Sequence, residues 1–280
     1  MKHLNSDHLR TFLAIERAGS VTGGAERIGR SQSATSLQIH QLEDVVGKPL
    51  FERHGRGVVL TAAGELLRPV AREVVGSLDR MLADLRGESL TGRLRIGMPD
   101  DHGRTVLTGI VADFASLHPK VELEVQCALG VGFESALASG TLDLAVFDVA
   151  SPHKSQEILR ESTLVWRGRP DQNFDKADRL PVALFDRSCW WRDIAISSLE
   201  TSGRSFEVVF TSESSFGIRA AVETGIAVGL LSTEKNLTGL ESVDGLSARH
   251  PTFLVLQQGS GSVGPVCDAM SEAIRRAFLD

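Results

Sequence analysis

Gly29-Arg30-Ser31-Gln32-Ser33-Ala34-Thr35-Ser36-Leu37-Gln38-Ile39-His40-Gln41-Leu42-Glu43 reads as a short helix with one polar face. Ser31 suits the N-cap, because its hydroxyl can accept from a free amide of the first turn. Ala34, Leu37, Gln41 or Leu42, and Val45 recur at three- and four-residue steps and predict the inward side. That leaves Gln32, Ser33, Thr35, Ser36, Gln38 and His40 facing out. These groups are short or amide-bearing and can donate and accept toward base edges and phosphates, whereas an ordinary solvated face carries more Lys and Glu. The face implies a DNA groove. A polar surface helix in isolation reads the same way, so the neighbours decide.

Before this stretch, a helix is expected from Ser6 or Asp7, either of which can cap it, to Ala18, with Gly19 as a left-handed terminator. Ser20 caps a second helix through Ile28, with Val21, Ala25 and Ile28 inward. Gly23 and Gly24 each cost that helix about 1 kcal/mol relative to Ala and predict a frayed start. Gly29 then permits the turn, giving helix-turn-helix. After Lys48, two β-prone runs around His54-Gly55-Arg56-Gly57 read as a hairpin, which in this position is a wing. Arg53 and Arg56 would meet the DNA backbone or the minor groove. Thr61 caps a helix running to about Arg86, roughly 38 Å at 1.5 Å per residue. Leu66, Leu67, Val70, Ala71, Val74, Val75, Leu78, Leu82 and Leu85 give it an apolar stripe that wants a partner, so dimerisation is expected, and Pro69 should kink it.

The 280 residues suffice for two or three domains. No run approaches the roughly 18 apolar residues of a membrane helix, and Met1-Lys2-His3-Leu4 does not open a secretory signal. No membrane association and a cytoplasmic location are therefore expected. Cys127, Cys189 and Cys267 lie far apart, which suggests neither disulfides nor a thiolate zinc site. Residues 1–60 carry 8 Lys/Arg against 6 Asp/Glu, residues 61–90 carry 4 against 5, and residues 91–280 carry 18 against 25. The basic excess sits with the polar helix, as expected if only that part meets phosphate.

Phe12, Gly19-Ser20-Val21-Thr22, Ala25, Ser31-Gln32-Ser33-Ala34, Ser36, Gln38-Ile39, Leu42-Glu43, Gly47, Leu50-Phe51, Arg53 and Leu60-Thr61-x-x-Gly64 together resemble the N-terminal signature of LysR-type transcriptional regulators. The chain departs from that signature at Gly23-Gly24, where alanines are usual, and at His40, where a basic residue is common. The resemblance implies an α+β multidomain protein: winged helix-turn-helix (1–60), linker helix and hinge (61–90), and a two-lobed α/β effector domain (91–280) like periplasmic solute-binding proteins. Lobe I would comprise 91–162 and 257–280, and lobe II 163–256. Within that half, Leu180–Phe185, Cys189-x-x-Arg192, Phe210-Thr211-Ser212-x-Ser214 and Ala220–Val228 resemble the LrhA/HexA-like branch.

Strand-like and helical runs alternate beyond Gly92, which argues for parallel sheets covered on both faces. Ligands of such sheets sit beyond the carboxyl ends of strands. That rule selects Asp100 and His102, Ala128 and Gly130, Phe147, Cys189, Trp190 and Arg192, and Ser212 and Ser214. Arg192 suggests a small organic anion as effector. Trp190 and Trp191 read first as packing.

Three other features are set aside. Asp100-Asp101-His102 lacks a partner cluster for a metal, Gly29–Ser33 lacks the second glycine and the preceding strand of a nucleophile elbow, and Gly259–Gly264 lacks the Lys of a phosphate loop. No metal, cofactor or catalytic constellation is expected. The sequence thus predicts double-stranded DNA, a small-molecule effector and a second copy (homodimer or homotetramer) as partners. Its rival is a thiol redox switch: Cys189 stands at an expected helix N-terminus near Arg187 and Arg192, conditions that lower a thiol pKa.

Overall fold

The computed structural model describes residues 3–278 except 56, 88, 100–106, 173, 175–177, 188, 234–238, 244, 247, 248 and 263. The chain divides into two compact units. One is formed by the chain up to Leu90 with Asp113–Lys120, the other by Thr91–Ala112 and the chain from Val121 onward.

In the first unit, α1 (Ser6–Ala18), α2 (Val21–Arg27) and α3 (Gln32–Val46) close over Leu9, Phe12, Leu13, Ile15, Ile39 and Leu42. Asn5 caps α1 instead of Ser6 or Asp7: its side chain accepts from the Asp7 amide. Gly19 ends α1 in the left-handed region at φ 64°, and Ser20 accepts from the Gly23 amide to cap α2. Gly24 proves to be a packing residue. A Cβ there would stand 2.5 Å from Ile15 Cγ1 and 2.8 Å from Ile15 Cα, so glycine lets α1 and α2 meet backbone to backbone.

The inward stripe of α3 is Thr35, Ile39 and Leu42 at four- and three-residue steps, which rotates the helix relative to the sequence expectation. Leu37, expected inside, is 58% exposed. Thr35, expected outside, is fully buried, and its hydroxyl donates to the Ser31 carbonyl at 3.0 Å, so no polar group is stranded.

β1 (Phe51–His54) and β2 (Gly57–Leu60) pair antiparallel. The Val58 amide donates to the Gly19 carbonyl at 2.8 Å, and a Cβ on Gly57 would lie 2.4 Å from that same oxygen. The hairpin is therefore seated on the end of α1. Thr61 then caps α4 (Ala62–Arg86), accepting from the Gly64 amide at 3.1 Å. The helix continues through Pro69. Leu67, Ala71 and Val75 pack it on the three-helix core, and Arg10 pairs with Asp79. Another side leaves Leu66, Val70, Val74, Met81, Leu82 and Leu85 exposed.

From Gly92 onward the chain runs β3 (Gly92–Met98), α5 (Leu107–Leu117), whose last residues count with the first unit, β4 (Val121–Cys127), α6 (Phe133–Ala138), β5 (Leu144–Val149), β6 (Glu157–Gly168), β7 (Leu180–Phe185), α7 (Trp190–Ser202), β8 (Phe206–Ser212), α8 (Ser215–Glu223), β9 (Val228–Ser232), β10 (Glu241–Ser242), β11 (His250–Gln258) and α9 (Pro265–Phe278). The strand order is β4-β3-β5-β11-β6-β9-β7-β8, with β10 on β6. β3 lies parallel to β4 and β5, and β7 parallel to β8 and β9. The middle differs from the parallel expectation, because β6 and β11 are antiparallel to each other and join the two groups. One core gathers around Trp166, Leu180, Leu184, Leu199 and Val222, another around Phe133, Leu137 and Phe147. Among the described residues, no helix is long and apolar enough to cross a membrane.

Candidate functional site

Two surfaces carry chemistry, one in each unit. On α3, Gln32, Ser33, Leu37, His40 and Gln41 are exposed and Ser36 is half-buried. The acids of this helix, Glu43 and Asp44, lie at its far end, and Glu43 is occupied by accepting from the Leu50 amide at 2.8 Å. Ser31 accepts from the Ala34 amide and meets the Ser33 hydroxyl at 3.1 Å. Arg30, Lys48 and Arg53 are exposed. Arg30 rests 3.3 Å from Asp7, and the His40 ring is 3.5 Å from Glu43. Arg56 lies outside the described residues.

Two residues assigned to this face belong elsewhere. Thr35 is core, as above. Gln38 is half-buried, and its amide oxygen accepts from the buried Thr11 hydroxyl at 2.6 Å, which ties α3 to α1. Leu37 and Gln41 replace them. Taking Ile39 as an inward residue would have set the right phase.

In the second unit a cavity of about 540 Å³ opens beyond the carboxyl ends of β3, β4, β5, β7 and β8, where ligands of open α/β sheets bind. Pro99 lines it after β3, and Leu129–Gly132 after β4. Gly130 has no room for a side chain, since its Cβ would stand 2.4 Å from Phe147 Cβ. Phe147 and Asp148 close β5, and Ser151 and His153 follow. Across from them stand Phe185, Cys189, Trp190, Trp191 and Ser215. Trp191 is buried edge-on to Phe185, ring centroids 5.5 Å apart, while Trp190 is half-buried and turns toward His250 at 6.1 Å. Both tryptophans therefore pack and line the cavity at once.

Gly130, Phe147, Cys189 and Trp190 are where the topology rule put them. Asp100 and His102 lie outside the described residues. Ala128, Arg192, Ser212 and Ser214 are absent from the wall. Ala128 packs beside Phe147 in the core. The Arg192 guanidinium donates to the Phe185 carbonyl at 2.6 Å, which holds α7 on β7. The Ser212 hydroxyl accepts from the Ser214 amide at 3.0 Å and so shapes the entry to α8, which Ser214 caps by position.

Sequence reasoning missed Glu134 and His153. The His153 ring meets Glu134 at 3.1 Å and the Ser155 hydroxyl at 3.0 Å, and Gln156 donates to Glu134 at 2.7 Å. Only the fold brings α6 beside the segment after β5, so no spacing signalled the pair.

The thiol runs against expectation. Burial pushes Cys189 up to about 11, outweighing the helix amides, and nearby Asp186 adds to the rise. A neutral, buried thiol is a poor redox sensor. Among the described residues no three His, Cys, Asp or Glu side chains gather as a metal site.

Residues 6–65 match the bacterial regulatory helix-turn-helix protein, lysR family, and residues 87–234 the LysR substrate binding domain. The chain is 35% identical to the regulator DgdR of Burkholderia cepacia over 244 residues, covering 87% of this chain and 83% of that one. It is 28% identical to PecT of Dickeya dadantii, over 83% of this chain and 73% of that one. Its fold matches DarR of Vibrio fischeri, solved in complex with DNA, with a TM-score of 0.54 at 16% identity over 98% of this chain and 99% of that one. The chain belongs to the LysR family of DNA-binding transcriptional regulators.

Proposed function

We propose that this regulator reads an operator with the exposed N-terminal face of α3 and is switched by a small molecule in the cavity of the second unit. Gln32, Ser33, Ser36, Gln41 and His40 would address base edges, with Leu37 placed for a thymine methyl. Arg30, Ser31, Lys48, Arg53 and Arg56 would meet the backbone. Gln38 acts through Thr11 by holding the angle of α3. The observation that carries the reading is this face, free of acids at its N-terminal end and bordered by three exposed cations. The functional divisions are 1–60 for DNA, 61–90 for pairing and 91–280 for sensing.

The exposed stripe Leu66, Val70, Val74, Met81, Leu82 and Leu85 supports pairing two copies through α4, with a tetramer as a further assembly. A helix-turn-helix reads half-sites about one helical turn apart, so the spacing of two heads decides which operator fits. A ligand that draws the walls of the cavity together would act on that spacing. The protein works in the cytoplasm, where its operator is.

A mobility-shift titration on the DNA upstream of the chain's own gene tests the reading. Wild type should shift it, Gln32→Ala should weaken discrimination against mutated sites, and Arg53→Ala should lower affinity uniformly and reduce the salt slope by about 1. No shift by wild type, or a shift untouched by both changes together, overturns it.

A further inference from the structure

We infer that Gln38 reads guanine, its amide nitrogen turned to the groove by the bond that its amide oxygen makes inside the first unit. This inference rests on the reading of α3 as the helix that enters the major groove. Thr11, on α1, is 1% exposed, and its hydroxyl donates to Gln38 Oε1 at 2.6 Å. The Thr11 side chain has no other partner among the described residues. A buried hydroxyl proton needs an acceptor, and of the two ends of an amide only the oxygen can accept it. With the nitrogen in that place, the hydroxyl would receive a hydrogen bond while its own proton was stranded. The Gln38 amide is therefore held one way round, oxygen inward and nitrogen outward.

The nitrogen end is open. Among the described residues, the buried side-chain nitrogens and oxygens without a partner are His8 Nδ1 and Arg167 Nε. Gln38 Nε2 has no partner either and is not one of these, so it reaches the surface. Gln38 lies beside exposed Leu37 and one turn before exposed Gln41, within about two turns of the start of α3, where a recognition helix meets base edges. A free glutamine joins adenine through both ends of its amide, donating to N7 and accepting from the N6 amino group. Gln38 has only donors to offer. Guanine presents two acceptors, N7 and O6, on one edge, whereas adenine and cytosine each present an amino group that would set N–H against N–H. Thymine presents a single acceptor. Thr11 thus acts as a positioning residue that turns an adenine-reading side chain into a guanine-reading one.

The test is selection of bound sequences from a library of randomised duplexes by the full-length protein, followed by sequencing. Wild type is compared with Gln38→Glu, Thr11→Val, Thr11→Ser and Gln32→Ala, and each variant's melting temperature reports its folding. Wild type should favour guanine over adenine about tenfold at one position of each half-site. Gln38→Glu keeps an oxygen for Thr11 and turns a second oxygen outward, so that position should change to cytosine, whose amino group a carboxylate accepts from, while the others stay as they were. Thr11→Val frees the amide to turn, so adenine should rise to within about threefold of guanine at that position alone. Thr11→Ser should behave as wild type. If Thr11→Val does not fold, Gln38→Glu carries the test. A motif that Gln32→Ala alters and Gln38→Glu does not overturns the inference and leaves α3 standing as the reading helix. A folded Thr11→Val with wild-type preferences, or with preferences shifted at every position, overturns it as well. A wild type that enriches no sequence, or a motif that neither Gln32→Ala nor Gln38→Glu alters, overturns both.

Discussion

Replacing Gly24 with Ala tests the close contact that sets the angle of the reading helix. In an ordinary mid-helix position the change stabilises by about 1 kcal/mol, because Ala is the better helix former. Here the new Cβ would stand 2.5 Å from Ile15 Cγ1, 2.8 Å from Ile15 Cα and 2.9 Å from Ile15 N, and two of those three atoms are backbone. Backbone yields less readily than a side-chain end, so the overpacking cost falls in the upper part of the usual range of about 1–3 kcal/mol. The net expectation is destabilisation of about 1–2 kcal/mol. Gly23→Ala is the control: its Cβ would meet only Ala18 Cβ and Ser20 Oγ, both at 3.0 Å, so gain and cost nearly cancel. All three tryptophans, at 166, 190 and 191, lie in the second unit, so their fluorescence follows that unit, whereas far-ultraviolet dichroism follows the helices of both. In urea titrations Gly24→Ala alone should lower the midpoint of the part of the dichroism change that the fluorescence transition does not account for, with the fluorescence transition unmoved and DNA affinity reduced. A midpoint equal to or above wild type would refute the argument that α1 and α2 touch through this glycine.

Gln38→Ala should lower stability as well as DNA affinity, by about 1–3 kcal/mol, because it strands the buried Thr11 hydroxyl; Gln32→Ala should leave the melting temperature unchanged, and equal effects of the two would contradict the division of roles. Asp143 takes two bonds from the Arg95 side chain, one from its amide and one from Ser262, and these hold its carboxyl below the usual carboxylate range. Its stabilising contribution is therefore full above about pH 4 and is lost as pH falls through the lowered value, so the stability gap between wild type and Asp143→Asn should narrow below pH 4 in acid titrations. With its thiol raised from 9.0 to about 11, Cys189 holds on the order of 100-fold less thiolate at pH 7.5 than an ordinary thiol, so iodoacetamide should label the exposed Cys127 first. Peroxide that alters DNA binding in wild type but not in Cys189→Ser would restore the redox reading.

Local rules carried far in the first unit. Ser20, Ser31 and Thr61 cap the helices they were expected to cap, and Gly19 ends α1, because caps and terminators act within a few residues. The errors came where a partner helix decides. Short Thr resembles Ser on a wheel, yet Thr35 can be buried because its hydroxyl reaches the Ser31 carbonyl four residues back, and that bond has no signature in composition. Gly24 looked like a weak helix former when its value lies in what it leaves out. In the second unit the parallel pairs announced themselves as apolar runs, as did the end of β6 at Leu164–Arg167, whereas its first half did not, since Glu157, Arg160, Glu161 and Ser162 interrupt the apolar pattern of a strand hydrogen-bonded on both sides to other strands.

The position of the cavity was legible and the full make-up of its wall was not, for one physical reason. Position follows from chain direction, because parallel strands all end on the same side and the loops there must converge. Which residues line it depends also on where the tip of a long side chain goes, and Arg192 has the carbonyl of Phe185, at the end of β7, within reach of its backbone position. The carbonyl is always present and fixed by the sheet, so it takes the guanidinium at 2.6 Å and helps anchor α7. Glu134 and His153, nineteen residues apart, meet only because α6 and the turn after β5 share an edge of the cavity. The make-up of the site is thus a property of the folded wall, and a residue that the strand order places near the cavity, such as Arg192, can spend its side chain on the sheet instead.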